Sequence, residues 1–168
     1  MFDKFFPDEY MDSTYEIDFA GLYKKGIRGL LFDIDNTLVP HGKPSVRKAE
    51  RLFEQLRSLG FKTCLISNNK EPRVKAFAKK LESPYISNAH KPLVKNYQKA
   101  LDLMGTKAGN TVFIGDQLFT DVYGAKRSGI YSILVRPIHP REEIQIILKR
   151  YLEKIVLYFY EKQKKDNL

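Results

Sequence analysis

Between residues 27 and 137, short apolar runs alternate with segments whose apolar residues recur at helical spacing. That alternation constrains the fold more than any other feature. "IRGLLFDI" (27–34), "FKTCLIS" (61–67), "PYIS" (84–87), "TVFIGD" (111–116) and "YSILVRP" (131–137) read as strands. "SVRKAERLFEQLRSLG" (45–60), "PRVKAFAKKLE" (72–82), "PLVKNYQKALDLMG" (92–105) and "FTDVYGAKRSG" (119–129) read as helices. Ser45 is placed to cap the first helix and Gly60 to end it; Pro92 opens the third and Gly105 closes it. Apolar strands separated by amphipathic helices predict an α/β fold, with a parallel five-stranded central sheet covered on both faces. The 168 residues fit one domain, with an N-terminal lead (1–26) and a C-terminal helix (141–162) as extensions.

In such sheets ligands bind beyond the carboxyl ends of the strands. The first strand runs into Asp33-Ile34-Asp35, with Thr37 two residues on; the second ends in Ser67-Asn68-Asn69. His90-Lys91-Pro92 follows the third, and Gly115-Asp116 ends the fourth, with Asp121 five residues later. Two carboxylates at the end of a buried strand repel each other and are costly to desolvate. A divalent cation and a lysine sharing the site would offset that cost. Hard oxygen donors suit Mg²⁺, which binds through a few carboxylates, waters and a substrate phosphate. The set can do one kind of chemistry well. One carboxylate attacks phosphorus, a second moves protons, and a lysine and a small hydroxyl hold the phosphoryl oxygens. No Gly-rich phosphate loop of the Walker type is present.

"DIDNT", "ISN", Lys91 and "GDQLFTD", in that order, resemble the four motifs of the haloacid dehalogenase superfamily. The resemblance implies its three-layer, Rossmann-like sandwich and a set of roles. Asp33 would be the nucleophile and Asp35 the general acid and base. Thr37, Ser67, Asn68 and Lys91 would hold the phosphate, with Thr37 also helping to shape the turn. Asp116 would bind Mg²⁺ with Asp33 and the backbone carbonyl of Asp35, and Asp121 would support the metal. The second aspartate of the first motif accompanies phosphatases in that superfamily. Neither gap between motifs has room for a cap domain, which resembles the capless subfamily. "FDIDNTLV", "SNN", "HKP" and "GDQLFTDV" together look like its YqeG-type branch, which is similar to mitochondrial phosphatidylglycerophosphate phosphatases. By that likeness the leading substrate is phosphatidylglycerophosphate. Soluble sugar or nucleotide phosphates stay open, as does a non-enzymatic module engaging RNA, a ribosome or a protein.

Charge bears on the partner. The formal net charge is +9, yet residues 1–20 carry six acids against one base. The remainder is therefore strongly basic and attracts phosphorylated molecules or an anionic membrane surface; no specific nucleic acid is predicted. One cysteine, Cys64, excludes an internal disulfide framework and fits the cytoplasm. The longest apolar runs are far too short to span a membrane, and the N-terminus does not read as a signal peptide. In the last helix Ile144, Ile147, Leu148, Tyr151, Leu152, Ile155 and Phe159 share one face, which Ile146, Val156, Leu157 and Tyr160 widen. The plain expectation is that this face packs on the sheet. With Lys149, Arg150 and Lys154 beside it, the same face also suits the surface of a membrane or an oligomer contact. Asn69 and His90, beside the motif positions, are expected to be surface residues or supports behind the site. His41 in the flap could touch substrate, though lone loop histidines are usually inert; Gln117 is a loop residue with no assigned role.

Overall fold

A computed structural model of the chain describes residues 2–139 and 144–166. The strands are β1 (Glu9–Met11), β2 (Gly29–Phe32), β3 (Lys62–Ile66), β4 (Tyr85–Ile86), β5 (Thr111–Gly115) and β6 (Tyr131–Val135). The helices are α1 (Phe19–Lys24), α2 (Arg47–Leu59), α3 (Glu71–Leu81), α4 (Val94–Met104), α5 (Tyr123–Arg127) and α6 (Ile144–Asp166). All strands pair in parallel, in the order β1-β6-β5-β2-β3-β4. The expected five-stranded sheet is thus six-stranded. The extra strand comes from the N-terminal lead, which pairs along β6. Asp8 fastens its entry, accepting bonds of 2.8 Å from both Ser132 N–H and the Ser132 hydroxyl.

Side-chain alternation along the strands splits the core in two, as a pleated sheet buried on both faces requires. Leu30, Phe32, Leu65, Val112 and Ile114 meet α1, α2 and α3 through Leu22, Phe53, Leu56 and Phe77. Leu31, Cys64, Ile66 and Phe113 meet α4 and α5 through Tyr97, Leu101 and Ala125. Gly60 closes α2 in the left-handed conformation, as expected. The expected Ser45 cap does not form: Val46 occupies that position, and the Ser45 hydroxyl donates to Glu50.

The segment read as one helix over 119–129 is a single π-helical turn, Leu118–Val122, followed by α5. Such turns cluster at functional positions. Gly124 lets α5 close against α4: a Cβ there would lie 2.3 Å from the buried Tyr97 hydroxyl oxygen. Gly124→Ala should therefore destabilise the protein by about 1–3 kcal/mol, by forcing Tyr97 off its seat. Thermal melting of the two proteins checks this.

The C-terminal helix departs most from expectation. It covers Ile144–Asp166; residues 141–143, and the side chains of Ile144, Ile147 and Leu148, lie outside the described residues. Tyr151, Leu152, Ile155 and Phe159, expected to pack on the sheet, are exposed. The docked side is Glu153 with Val156 and Leu157, two residues expected only to widen that face. Val156 joins Leu118, Val122 and Leu134 in a third apolar cluster with Phe5, Phe6 and Tyr10 of the lead. Phe2 stacks on Phe159 and Phe6 meets Tyr160 edge-on, with centroids 5.6 and 5.4 Å apart. The lead's aromatics and a buried charge pair on α6 set the helix's rotation, and the wide apolar face turns outward.

Candidate active site

The carboxyl edges of β2, β3 and β5, with the loop after β4, bring the predicted residues together. After β2 the chain must turn at once. Asn36 takes the left-handed conformation (φ 59°), which asparagine tolerates better than most residues. Its side-chain oxygen accepts the N–H groups of His41 and His139, which ties down the flap. Asp33 and Asp35 leave this turn in different directions.

Asp33 is buried, and Lys91 Nζ donates to its Oδ1 at 2.6 Å. The same ammonium donates to Asp121 Oδ1 at 2.7 Å, so one lysine bridges two acids from different strand ends. Asp121 is held rigidly, because its other oxygen accepts the N–H groups of Asp116 and Gln117, each at 3.1 Å. Those two bonds account for the π turn, which folds Asp121 back over the end of β5. Asp116 Oδ1 accepts the Thr37 hydroxyl at 3.1 Å. Carboxylate oxygens of Asp33, Asp116 and Asp121 all lie within 4.8 Å of one another.

Three buried carboxylates this close are electrostatically unsatisfied. Burial pushes Asp33 up to about 6; Lys91 pulls it down, while Asp121 and Asp35 push it further up. Asp116 rises well above the ordinary carboxylate range, through burial and then through Asp33 and Asp121, with Arg150 opposing. Burial works against the charge on Lys91, but Asp121 and Asp33 outweigh it, so the ammonium stays protonated above its usual range. Two cations face three acids, and every donor is a hard oxygen. A divalent cation fits this set, and Asp33, Asp116 and Asp121 are the residues that could hold it.

The Asp35 side chain stands apart from that cluster. Its Oδ1 accepts Gly42 N–H at 2.8 Å and Arg73 at 2.6 Å, its Oδ2 accepts the Asn69 amide, and His41 lies 4.0 Å away. The remaining predicted residues surround the pair. Asn68, largely exposed, receives Lys91 N–H on its Oδ1 at 2.8 Å and so shapes the lysine's loop. The Ser67 hydroxyl, buried at the end of β3, accepts Asn69 N–H at 3.2 Å. Thr37 touches Asp116 directly.

Four participants were missed or set aside in the sequence. Asn69, expected to be a surface residue or a support behind the site, donates to Asp35 and is a support. Arg73, in the first turn of α3, holds it from the other side. Arg150 of α6 makes a double contact with Asp116, one nitrogen to the carboxylate Oδ2 and one to the backbone carbonyl. Glu153, one turn further along α6, accepts Arg150 at 2.8 Å and Leu118 N–H at 2.9 Å. Burial raises Glu153, with Arg150 and the Leu118 N–H opposing. Gln117, to which no role was given, accepts the Thr120 hydroxyl at 3.0 Å. Arg150 and Glu153 left one trace: an opposite-charge pair three apart in the helix.

The chain matches the model of the haloacid dehalogenase-like hydrolases over residues 46–129. It is 36% identical over 159 residues to "Probable phosphatase YqeG" of Bacillus subtilis, covering 94% of this chain and 92% of that protein. It is 24% identical to "Phosphatidylglycerophosphate phosphatase 1, chloroplastic/mitochondrial" of Arabidopsis thaliana, covering 82% of this chain and 45% of that one. Among solved structures it superposes on the cobalt-bound deoxy-D-mannose-octulosonate 8-phosphate phosphatase of Haemophilus influenzae. There the TM-score is 0.53 at 13% identity, over 66% of this chain and 69% of that one. A hypothetical protein of Xanthomonas campestris gives 0.57 at 15% identity, over 77% and 75%. These structural likenesses bear on the fold alone.

Proposed function

This chain belongs to the haloacid dehalogenase-like hydrolases, and on that premise we propose that it is a Mg²⁺-dependent phosphomonoester hydrolase with Asp33 as nucleophile. The observation that carries the reading is the buried cluster of Asp33, Asp116 and Asp121 closed by Lys91, with Asp35 held separately beside it. Asp33 attacks phosphorus and forms an aspartyl-phosphate. Asp35 gives its proton to the leaving oxygen, then takes one from the water that hydrolyses the intermediate. Asn69, Arg73 and Gly42 N–H hold Asp35 at its post. Lys91 balances the phosphoryl charge and aims Asp33. Ser67 and Asn68 would border the phosphate, and Asp116 and Asp33 would hold the Mg²⁺ with the backbone carbonyl of Asp35, with Asp121 supporting the metal. When bound, that ion supplies Lewis-acid stabilisation of the phosphoryl oxygens.

The substrate is phosphatidylglycerophosphate or a similarly accessible phosphate ester. Two things support this: the activity for which the Arabidopsis relative is named, and an edge over which the described residues place no cap. The enzyme works in the cytoplasm, peripherally on an anionic membrane. No described helix is long and apolar enough to cross a bilayer. What favours peripheral contact is the outward face of α6, with Tyr151, Leu152, Ile155 and Tyr158 exposed among Lys149, Lys154, Lys162 and Lys164.

Hydrolysis of an aryl phosphate by the purified chain tests the chemistry. Excess chelator should stop it and Mg²⁺ restore it, and Asp116→Ala should raise the Mg²⁺ needed or end activity. Full activity in chelator contradicts the reading. Phosphatidylglycerophosphate in anionic vesicles should be cleaved faster than soluble phosphomonoesters. A preference for the soluble esters removes the lipid assignment and leaves the chemistry standing.

A further inference from the structure

A cavity of about 460 Å³ opens between the carboxyl end of β6, the N-terminal strand and α6. Tyr10, Leu118, Leu134 and Leu157 are part of its apolar lining, and Arg136 and Lys154 also line it. Asp116 and Arg150 line it as well, so it shares a residue with the acidic cluster. The sheet order puts it on one known side: β6 lies beside β5 on the flank opposite β2, which carries Asp33. Asp116, at the end of β5, stands between the nucleophile and the cavity.

This is the make-up of a small-molecule site: concave and mainly apolar, with a small number of charged groups. The acids that line it are already committed. Asp116 is bound by Arg150 and Thr37, and Glu153 by Arg150 and Leu118 N–H. The charge left to meet a ligand is therefore positive, from Lys154 and from Arg136, which also pairs with Asp12 at 3.0 Å. The cavity depends on both chain ends, since the lead gives Tyr10 and α6 gives Leu157. A soluble sugar phosphate makes no use of such walls.

The geometry points to this cavity as the subsite for the hydrocarbon chain of an amphiphilic phosphate ester. The phosphorus lies at Asp33 and the chain passes over Asp116 into the space between β6 and α6. This rests on the phosphomonoesterase reading above and narrows its substrate class to phosphate esters that carry an alkyl or acyl chain. Arg150 then stands where headgroup and chain meet.

A series of monoalkyl phosphates from ethyl to octyl, each below its micellar concentration, tests the subsite. Each methylene that leaves water for the cavity raises kcat/KM by up to about four-fold, so ethyl to octyl should span on the order of a hundred-fold or more. Leu157→Trp, which fills the cavity from a half-buried position on α6, should pull the octyl-to-ethyl ratio toward one. Equal kcat/KM for all chain lengths in the unsubstituted enzyme overturns the subsite while leaving the phosphatase intact. So does a ratio that Leu157→Trp leaves unmoved. Should no ester be hydrolysed, it is the phosphatase reading that fails, and the cavity is judged by binding alone. Titration calorimetry with ethyl- and octylphosphonate in Mg²⁺ should then show the same gradation and its loss in Leu157→Trp. Equal affinities overturn the subsite.

Discussion

Asp33→Asn should lose all measurable phosphatase activity and, in the absence of metal, melt at a higher temperature than the unsubstituted protein. The activity loss follows because the amide cannot attack phosphorus, and nothing else in the cluster is aimed as Asp33 is. The stability gain follows from linkage. The Asp33 carboxyl is raised to about 6 from its ordinary 3.8, chiefly by burial and despite Lys91. Between those values the folded protein holds a proton that the unfolded chain has released. Folding stability therefore falls as pH rises through that window, and above it the full cost of burying the charge is present. Asparagine removes that cost, on the order of 2 kcal/mol at neutral pH. The gain should shrink as pH drops through the window and vanish below the unfolded value. Melting curves in chelator across that range check the sign. Mg²⁺ should raise the melting temperature of the unsubstituted protein more than that of the variant, which brings one ligand fewer.

Lys91→Met should be the most damaging single change at the site. One ammonium satisfies Asp33 and Asp121 together at 2.6 and 2.7 Å, and both acids are buried. Methionine fills similar volume but leaves two carboxylates facing each other without a partner. Breaking a buried pair from one side costs about 3–5 kcal/mol. The lysine's contribution is fully present at neutral pH, because its own titration is pushed upward and lies far above that range. In the variant the deserted acids can escape by taking protons, so the loss of stability should grow from about pH 5 to about pH 8. Activity should fall below detection across that range, since Lys91 also balances the phosphoryl charge. Chemical denaturation at several pH values measures the first effect. Asp33→Asn combined with Lys91→Met should recover part of the lost stability and none of the activity, because the two residues share one bond.

These expectations rest on features that were open to reading in unequal degree. β2, β3, β5 and β6 were legible because each is a continuous apolar run that ends in a polar or acidic residue, as in a sheet covered on both faces. The eight residues assigned by motif converge for the same reason: parallel strands point their carboxyl ends one way. β1 was not legible. Glu9–Met11 is three residues at the sheet's edge, half-buried, and it alternates nothing. It is a strand only because β6 offers a free edge and Asp8 fastens it to Ser132. Arg73 and Arg150 were illegible because their partners are distant in sequence: Arg150 stands 34 residues from Asp116. On α6, apolar spacing alone could not say which side faces in. The buried pair of Arg150 and Glu153, together with the lead's aromatics, decided it.

Asp35→Asn offers the most direct test of the central claim, that Asp33 is phosphorylated during turnover. With an aryl phosphate the leaving group departs without a proton from Asp35, so the first half-reaction proceeds. The second half-reaction needs Asp35 to activate water, so the intermediate accumulates. Rapid mixing in Mg²⁺ should release one burst of aryl alcohol, stoichiometric with enzyme. Mass spectrometry of the acid-quenched protein should then place a hydroxylamine-labile phosphoryl group on Asp33. Linear release with no burst, or a phosphoryl group on any other residue, would contradict the account.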